Sequence, residues 1–199
     1  MNVRSRSIVR RANESDVTCL AKLIDIAGEG IPNWLWSNHC TQDQTPLDIG
    51  IERAKRSTGG FSYTNALIAE QNGTSIGMVL SYPITEAPED DPDDLPAPIA
   101  PFVALEKLSV DTWYVNALAV FAGYRSLGTG TLLLNAAEKV ALKNDSKAMS
   151  IQVFGQNTGA VQLYKRLGFE VTSKTPVRSH PCQPYYTGDV LLLIKQLNR

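Results

Sequence analysis

Apolar and polar positions along this chain repeat with two periods, one typical of strands and one typical of helices. Alternation or short apolar runs predict strands in SIVRRA, FSYTNALIAEQNG, TSIGMVLSYPI, TWYVNALAV, AMSIQVF, FEVTSK and YYTGDVLLLIKQL. Helical spacing is found in VTCLAKLIDIAG, PLDIGIERAKRS, FVALEKLS, GTGTLLLNAAEKVALKN and NTGAVQLYKRLG. The main elements follow the order β-α-α-β-β, a loop, then β-α-β-α-β-β. This order predicts a single domain over residues 1–199, of mixed α/β class, with helices on the faces of a mixed sheet.

Capping and turn residues mark where these elements begin and end. Asn13 has the side chain of a helix N-cap, and Asp16 stands three residues later as in a capping box. Asn72 and Gly73 predict a tight hairpin between two strands. Gly168 is placed to close a helix at its C-terminal side. The tryptophan-bearing stretch IPNWLWSNHCTQDQTP contains no clear period and predicts irregular structure.

Charge is spread unevenly over the 199 residues. The formal net charge is −1, which gives no general attraction to nucleic acid. Residues 83–101 hold six carboxylates and no basic residue, so the rest of the chain carries +5. This proline-rich acidic loop is expected to be mobile and to attract cations.

Targeting and metal-binding signals are not found. The apolar runs are shorter than the ~20 residues of a membrane span. The basic N-terminus lacks the apolar stretch of a secretory signal. The three cysteines, Cys19, Cys40 and Cys182, are far apart and suit reduced thiols. Neither they nor the two histidines have a zinc-binding spacing. We expect a cytoplasmic protein with no metal, no membrane partner and no nucleic acid.

The stretch GYRSLGTG at residues 123–130 joins a predicted strand to a predicted helix and suits an anion site. It lacks the Lys of a P-loop, because Thr129 stands there, and Leu133 replaces the third glycine of a dinucleotide fingerprint. The pattern left is Arg-x-x-Gly-x-Gly, formed by Arg125, Gly128 and Gly130. Amides at the N-terminus of the following helix then face one concavity, where the helix dipole favours negative charge.

A second pair of candidate residues lies in QNTGAVQLYKRLGFE. Asn157 and Tyr164 are seven residues apart, nearly two helical turns, so we expect both on one stripe. A tyrosine there suits either core packing or contact with a ligand.

In this order, VNALAV, YRSLGTGTLLL and QNTGAVQLYKRLGFE resemble the GCN5-related N-acetyltransferase (GNAT) family, and SIVRRANESDVTCLAKLI resembles its first strand and helix. The resemblance implies a twisted mixed sheet, splayed between two central parallel strands, that binds acetyl-CoA. It assigns Tyr164 as the general acid for the departing thiolate. It assigns cofactor binding to Leu118, Ala119, Val120, Arg125, Ser126, Leu127, Gly128, Thr129, Gly130, Thr131 and Asn157.

The general base is the main departure from the family pattern. Many relatives carry a glutamate where this chain has Asn116, and an amide cannot accept the amine proton. Water, Glu106, Asp111 or an acceptor that is already neutral are the alternatives. Tyr114 and Asn116 alternate onto one face of the strand and are candidates to line the acceptor pocket.

These observations predict an acetyl-CoA-dependent N-acetyltransferase that moves an acetyl group directly to a primary amine of a small molecule or peptide. We expect a monomer or a homodimer. A non-catalytic acyl-CoA sensor on the same fold is one alternative. An interaction module that uses the acidic loop is another.

Overall fold

A computed structural model describes residues 7–198, so the first six residues, part of the basic N-terminal segment considered above, lie outside it. Its strands are β1 (Ile8–Arg11), β2 (Ala66–Gln71), β3 (Thr74–Ile84), β4 (Thr112–Val120), β5 (Ala148–Phe154), β6 (Glu170–Pro176) and β7 (Asp189–Gln196). Across the described residues they form one sheet of seven strands in the order β1-β2-β3-β4-β5-β7-β6. The mixed α/β class predicted from the sequence is confirmed.

The pairing within the sheet is mainly antiparallel, with one parallel pair at its centre. β1 pairs with β2, β2 with β3, β5 with β7 and β6 with β7, all antiparallel. β4 and β5 run parallel, in register from Trp113–Met149 to Val115–Ile151. Beyond that point β5 continues to Phe154 along β7. The predicted central parallel pair is therefore present.

Six α-helices accompany these strands over residues 7–198: α1 (Val17–Ala27), α2 (Ile31–Ser37), α3 (Pro46–Ala54), α4 (Ala100–Glu106), α5 (Thr129–Lys143) and α6 (Thr158–Arg166). The chain divides into two compact units. The first comprises the described residues up to Ser81 together with Ala117–Ala137, and the second comprises Tyr82–Asn116 together with the residues from Glu138 onward. The prediction of a single domain stays a prediction.

In the first unit, the apolar face of α1 forms the core against the sheet. Leu20, Ala21 and Ile24 of that face are buried, as the helical spacing predicts. They share one hydrophobic cluster with Ile68 of β2 and Met78 of β3. Each fully buried Leu or Ile side chain contributes about 1.5–3 kcal/mol through removal from water.

The prediction of irregular structure after α1 is wrong for α2. Gly30, with a φ of 93°, turns the chain and Pro32 lies in the first turn, where a missing amide costs nothing. Trp36 on this helix is buried, and its ring meets Phe61 at 5.8 Å between centroids. Tertiary burial of one tryptophan thus stabilises a short helix that its sequence alone does not indicate.

The three predicted capping and turn signals all form. Asn13 caps the residues before α1, and Asp16 completes the capping box. Asn72 and Gly73 have φ values of 52° and 75°, the two positive angles of a type I′ hairpin turn. At the far end of α6, Gly168 has a φ of 87°, as expected for a helix-terminating glycine.

Arg10 joins β1, β2 and the start of α1 through three charged hydrogen bonds. Its Nη1 and Nη2 donate to the Asp16 carboxylate at 2.7 and 2.8 Å, and its Nε donates to Glu70 Oε2 at 2.8 Å. The Asp16 side chain is only 5% exposed, so little water can replace the guanidinium. These bonds hold the pKa of Asp16 below its ordinary value.

Replacement of Arg10 by Met is expected to lower the free energy of unfolding by about 2 kcal/mol at pH 7. Losing one partner of a fully buried ion pair costs about 3–5 kcal/mol, and the partial exposure of Arg10 reduces that figure. Because the pKa of Asp16 is depressed, the contribution is complete above its ordinary value near pH ~4 and is lost as pH falls through the folded pKa. Urea unfolding should therefore show a difference in the free energy of unfolding between the two proteins at pH 7 that shrinks as the pH is lowered. A difference in unfolding free energy that stays constant with pH would contradict the ion pair with Asp16 as its cause.

Candidate functional site

The loop between β4 and α5 has the backbone of an anion cradle. Ser126 and Gly128 have φ values of 60° and 86°, so the chain reverses twice before the helix begins at Thr129. Leu132 N–H donates to Gly128 O at 3.0 Å, which closes the first helical turn. The amides of Thr129, Gly130 and Thr131 precede that bond and have no carbonyl one turn earlier to accept from them. The concavity of amides at this loop stays a prediction.

Ser126 contributes backbone strain to the same loop. A non-glycine residue at positive φ costs on the order of 1 kcal/mol relative to glycine. Its side chain is exposed, as are those of Leu127 and the neighbouring Arg125. Ser126 therefore adopts a positive φ that a glycine would adopt with less strain.

Arg125 is held by the end of β4. Its Nε donates to the carbonyl of Val120 at 2.9 Å. A guanidinium has five N–H donors, so this bond fixes the side chain while four donors face elsewhere. The motif predicted Arg125 only as a cation beside the phosphates, and its hydrogen bond to β4 was missed.

Close packing sets the position of this end of β4. A Cβ added to Gly77 of β3 would lie 2.8 Å from the carbonyl oxygen of Ala119 and 3.1 Å from Val120 Cγ2. Contacts below 3 Å are repulsive, so Gly77 allows the strand backbones to approach. Phe121 N–H also donates to Ile76 O at 3.0 Å, which fixes the exit from β4.

The second unit contains Asn157 and Tyr164, in positions that differ in part from the prediction. Asn157 is the N-cap of α6, and its Oδ1 accepts from Ala160 N–H at 3.2 Å. It therefore lies before the helix and not on a helical stripe with Tyr164. The Tyr164 side chain is buried and packs beside Phe169, with ring centroids 6.2 Å apart.

A polar cluster lies on the second unit's part of β3 and β4. The rings of Tyr82 and Tyr114 meet edge to face at 5.9 Å, and the Asn116 side chain hydrogen-bonds to both tyrosines. Burial, together with the nearby charge of Glu106, raises the pKa of each phenol above its ordinary value. Asn116 itself is exposed although it lies on a central strand. Tyr82 belongs to this cluster and was missed, because its strand gives no motif.

Gln152 of β5 is a second residue that no motif pointed to. Its Nε2 and Oε1 atoms are both buried and have no hydrogen-bond partner among the described residues. Leaving such groups unpaired costs about 1–3 kcal/mol each. Its only sequence signal is a glutamine inside the apolar run SIQVF.

The predicted site residues fall into both units. The first unit brings together Leu118, Ala119, Val120, Arg125, Ser126, Leu127, Gly128, Thr129, Gly130 and Thr131. The second contains Tyr114, Asn116, Asn157 and Tyr164. The assigned roles of these residues stay predictions.

Cys19, Cys40 and Cys182 are free, partly buried thiols, and burial raises the pKa of Cys19. The described side chains include no cluster of three metal-ligating residues. In the same part of the chain, none of the helices combines the length and the apolarity needed to cross a membrane.

The family model for the acetyltransferase (GNAT) family matches residues 29–169, which is more than half of the chain. The chain therefore belongs to the GNAT acetyltransferase family, and the predicted family is confirmed. The matched range includes the loop at the start of α5, Asn157 and Tyr164. The chain thus carries a domain of the GNAT acetyltransferase family.

Similar proteins agree with this assignment. An uncharacterized N-acetyltransferase YhfO of Bacillus subtilis is 30% identical over 52% of this chain and 57% of its own. An uncharacterized N-acetyltransferase of Methanocaldococcus jannaschii is 38% identical over 28% of this chain and 25% of its own. The chain thus spans a quarter to about half of these curated relatives. The structure of yncA from Salmonella typhimurium with its cofactor acetyl-CoA has the same fold, with a TM-score of 0.61, 18% identity and coverage of 98% and 96%.

Proposed function

We propose that this protein transfers the acetyl group of acetyl-CoA directly to a primary amine of a small molecule or peptide. The observation that carries the proposal is the amide cradle between β4 and α5. It combines two positive-φ turns with a helix N-terminus, an arrangement suited to the pyrophosphate of coenzyme A.

The residues present fit such a donor. A Cβ placed on Gly128 or Gly123 would meet no atom within 4 Å, so the loop has open space beside its backbone. The amides of Thr129, Gly130 and Thr131 at the start of α5 would hold phosphate oxygens, with Arg125 braced alongside. When bound, acetyl-CoA supplies an acetyl group activated as a thioester. Leu118, Ala119 and Val120 would pair with the pantetheine arm, as the family resemblance implies.

Tyr164 would supply the proton chemistry on the donor side. In the transfer, a carbon–nitrogen bond forms and a carbon–sulfur bond breaks, so the amine loses one proton and the sulfur gains one. We assign the Tyr164 hydroxyl as the donor of the proton that the sulfur gains. Asn157 would hydrogen-bond to the donor near the pantetheine, as the family resemblance implies. Tyr114 and Asn116 would line the acceptor pocket.

The test is transfer by the purified full chain. Acetyl-CoA is incubated with spermidine, tyramine or an unblocked tripeptide, while thiol release is followed and products are identified by mass. Enzyme-dependent acetylation of at least one amine is expected. Acetyl-CoA binding without acetylation of any amine in a broad panel would contradict the proposal.

The acidic loop is expected to favour cationic acceptors. Arg178 donates to Asp93 at 2.6 Å, so one of the six carboxylates is paired and the loop is tethered there. Shortening residues 86–94 to a glycine-serine linker should raise KM for spermidine several-fold at low salt and have little effect at high salt. Arg178→Gln, which removes the tether and keeps the carboxylates, is the matched control. An unchanged KM at low salt after shortening would rule out this role.

A further inference from the structure

Two glutamines of the second unit carry buried amide atoms that no other described residue engages. Within residues 7–198, the buried side-chain nitrogen and oxygen atoms without a hydrogen-bond partner are Gln152 Nε2, Gln152 Oε1 and Gln183 Oε1. Buried polar groups in folded proteins nearly always have a partner, because leaving them unpaired costs free energy. These two side chains are therefore candidates for contact with a bound molecule.

Gln152 lies on β5, one residue beyond the end of its pairing with β4. The last pair of the parallel ladder joins Val115 to Ile151. Two residues before Gln152, on the same face of β5, the hydroxyl of Ser150 shares a hydrogen bond of 2.6 Å with that of Thr112. The fold thus satisfies the polar group at Ser150 and leaves the next one along that face unpaired.

Solvent reaches this end of the parallel pair. Continuing the register by one residue places Asn116 of β4 opposite Gln152, and Asn116 is exposed. Tyr114 and Ser150 form one of the registered pairs, so Tyr114 and Asn116 share a face with Gln152. The two residues predicted to line the acceptor pocket and the unpaired amide of Gln152 therefore lie on one face of the second unit's sheet.

Three aromatic rings stand next to Gln152. Its side chain and that of Phe154 point to the same side of β5, about 7 Å apart along the strand. The Phe154 ring meets Phe102 of α4 edge to face at 5.2 Å between centroids, and it meets Tyr185 at 4.9 Å. Gln152 is thus flanked by an aromatic group formed by Phe102, Phe154 and Tyr185.

Gln183 reaches the same aromatic group from the loop at residues 177–188. It is 3% exposed and is the one buried residue of that loop. Its Nε2 donates to the carbonyls of Arg178 at 2.9 Å and Tyr185 at 3.1 Å, which leaves Oε1 as its unused acceptor. The Arg178 guanidinium donates to Asp93 at 2.6 Å, so its charge is directed at the acidic loop.

We propose that Gln152 and Gln183 bind an amide group of the acceptor, so that the acceptor is an unblocked peptide or an amino-acid amide. This inference rests on the proposed function and narrows its substrate. A glutamine side chain offers N–H donors and an oxygen acceptor, and a peptide or carboxamide group offers the complementary set. A charged group would instead require an ionic partner, whereas both glutamines are neutral. Aromatic walls with a few polar groups are typical of small-molecule sites.

The experiment measures kcat/KM for phenylalaninamide and for phenethylamine, which differ by the carboxamide. Gln152→Met keeps the length of the side chain and removes both polar atoms. Gln162→Met, at an exposed position of α6, is the matched control. We expect the preference for phenylalaninamide to fall by about 10-fold or more in Gln152→Met and to be unchanged in the control. Comparing this preference between proteins cancels the difference in basicity between the two amines.

A second measurement tests the unpaired state of the Gln152 amide and needs no activity. Because Gln152→Met removes two buried polar groups that have no partner, the urea midpoint of the free protein should stay the same or rise. A lower midpoint would show that the folded protein already engages this amide, and it would overturn the inference.

The kinetic outcomes separate this inference from the proposed function. A preference that stays within about threefold of wild type in Gln152→Met would overturn the amide site, although the enzyme assignment stands. Acetylation confined to amines without an amide group, such as spermidine, would overturn it in the same way. A wild type that acetylates no amine would contradict the proposed function, and the acceptor assignment would fall with it.

Discussion

Replacing Tyr164 by Phe is expected to lower kcat for acetyl transfer by about 100-fold or more, with little change in acetyl-CoA affinity. The change removes only the hydroxyl, and the ring that packs beside Phe169 at 6.2 Å remains. Without that hydroxyl the departing sulfur must leave as an unprotonated thiolate or take its proton from water. Thiol release sampled at fixed times measures kcat, and calorimetry on the same preparations measures the affinity for acetyl-CoA.

The matched control for this substitution is Tyr63→Phe, which removes a hydroxyl from a half-buried tyrosine of the first unit's core. It should leave both kcat and affinity near their wild-type values. The same experiment addresses the non-catalytic sensor, since a sensor would bind acetyl-CoA and show no turnover in either protein. Normal turnover in Tyr164→Phe would remove the general-acid assignment and leave Tyr164 as a core residue.

Replacing Gly130 by Glu is expected to weaken acetyl-CoA binding by at least about 100-fold. The residue lies in the first turn of α5, where unpaired amides and the helix dipole favour an anion. A glutamate there would place its own carboxylate before those amides and repel the pyrophosphate. Two close like charges in a partly desolvated loop cost several kcal/mol, which is sufficient for that loss.

Asn135→Glu is the control, because it adds the same charge to an exposed position further along α5. Its affinity for acetyl-CoA should stay within about threefold of wild type, since the dipole effect is confined to the first turn. Circular dichroism should show both variants folded. Wild-type affinity in Gly130→Glu would place the phosphates away from this loop, and the proposed donor site would have to be abandoned.

Most of the fold could be predicted from residue patterns because its elements satisfy local rules. β4 and β5 have the predicted bounds, and the hairpin turn at Asn72 and Gly73 forms as its sequence requires. Helix α2 could not be predicted, since its stability depends on burying Trp36 against distant parts of the chain. A short helix of seven residues has too little intrinsic stability to produce a local signal.

The candidate site was predictable where backbone conformation determines it and less so where side chains meet across elements. Glycine positions indicated the turn at Gly128, which has the expected positive φ. No spacing relates Tyr82 on one strand to Tyr114 on the next, and their ring contact comes from packing. Asn157 illustrates a third limit, because a cap and the first residue on a helical stripe have the same sequence spacing from Tyr164.

The close approach at Gly77 matters to anyone who would transplant this donor site into a designed scaffold. Copying the segment from β4 through the start of α5 would reproduce every residue predicted to touch the phosphates, and Gly77 would be left behind. Any other side chain at that point would collide with the carbonyl of Ala119 and displace the strand that leads into the loop. A working graft must therefore include the neighbouring strand with its glycine.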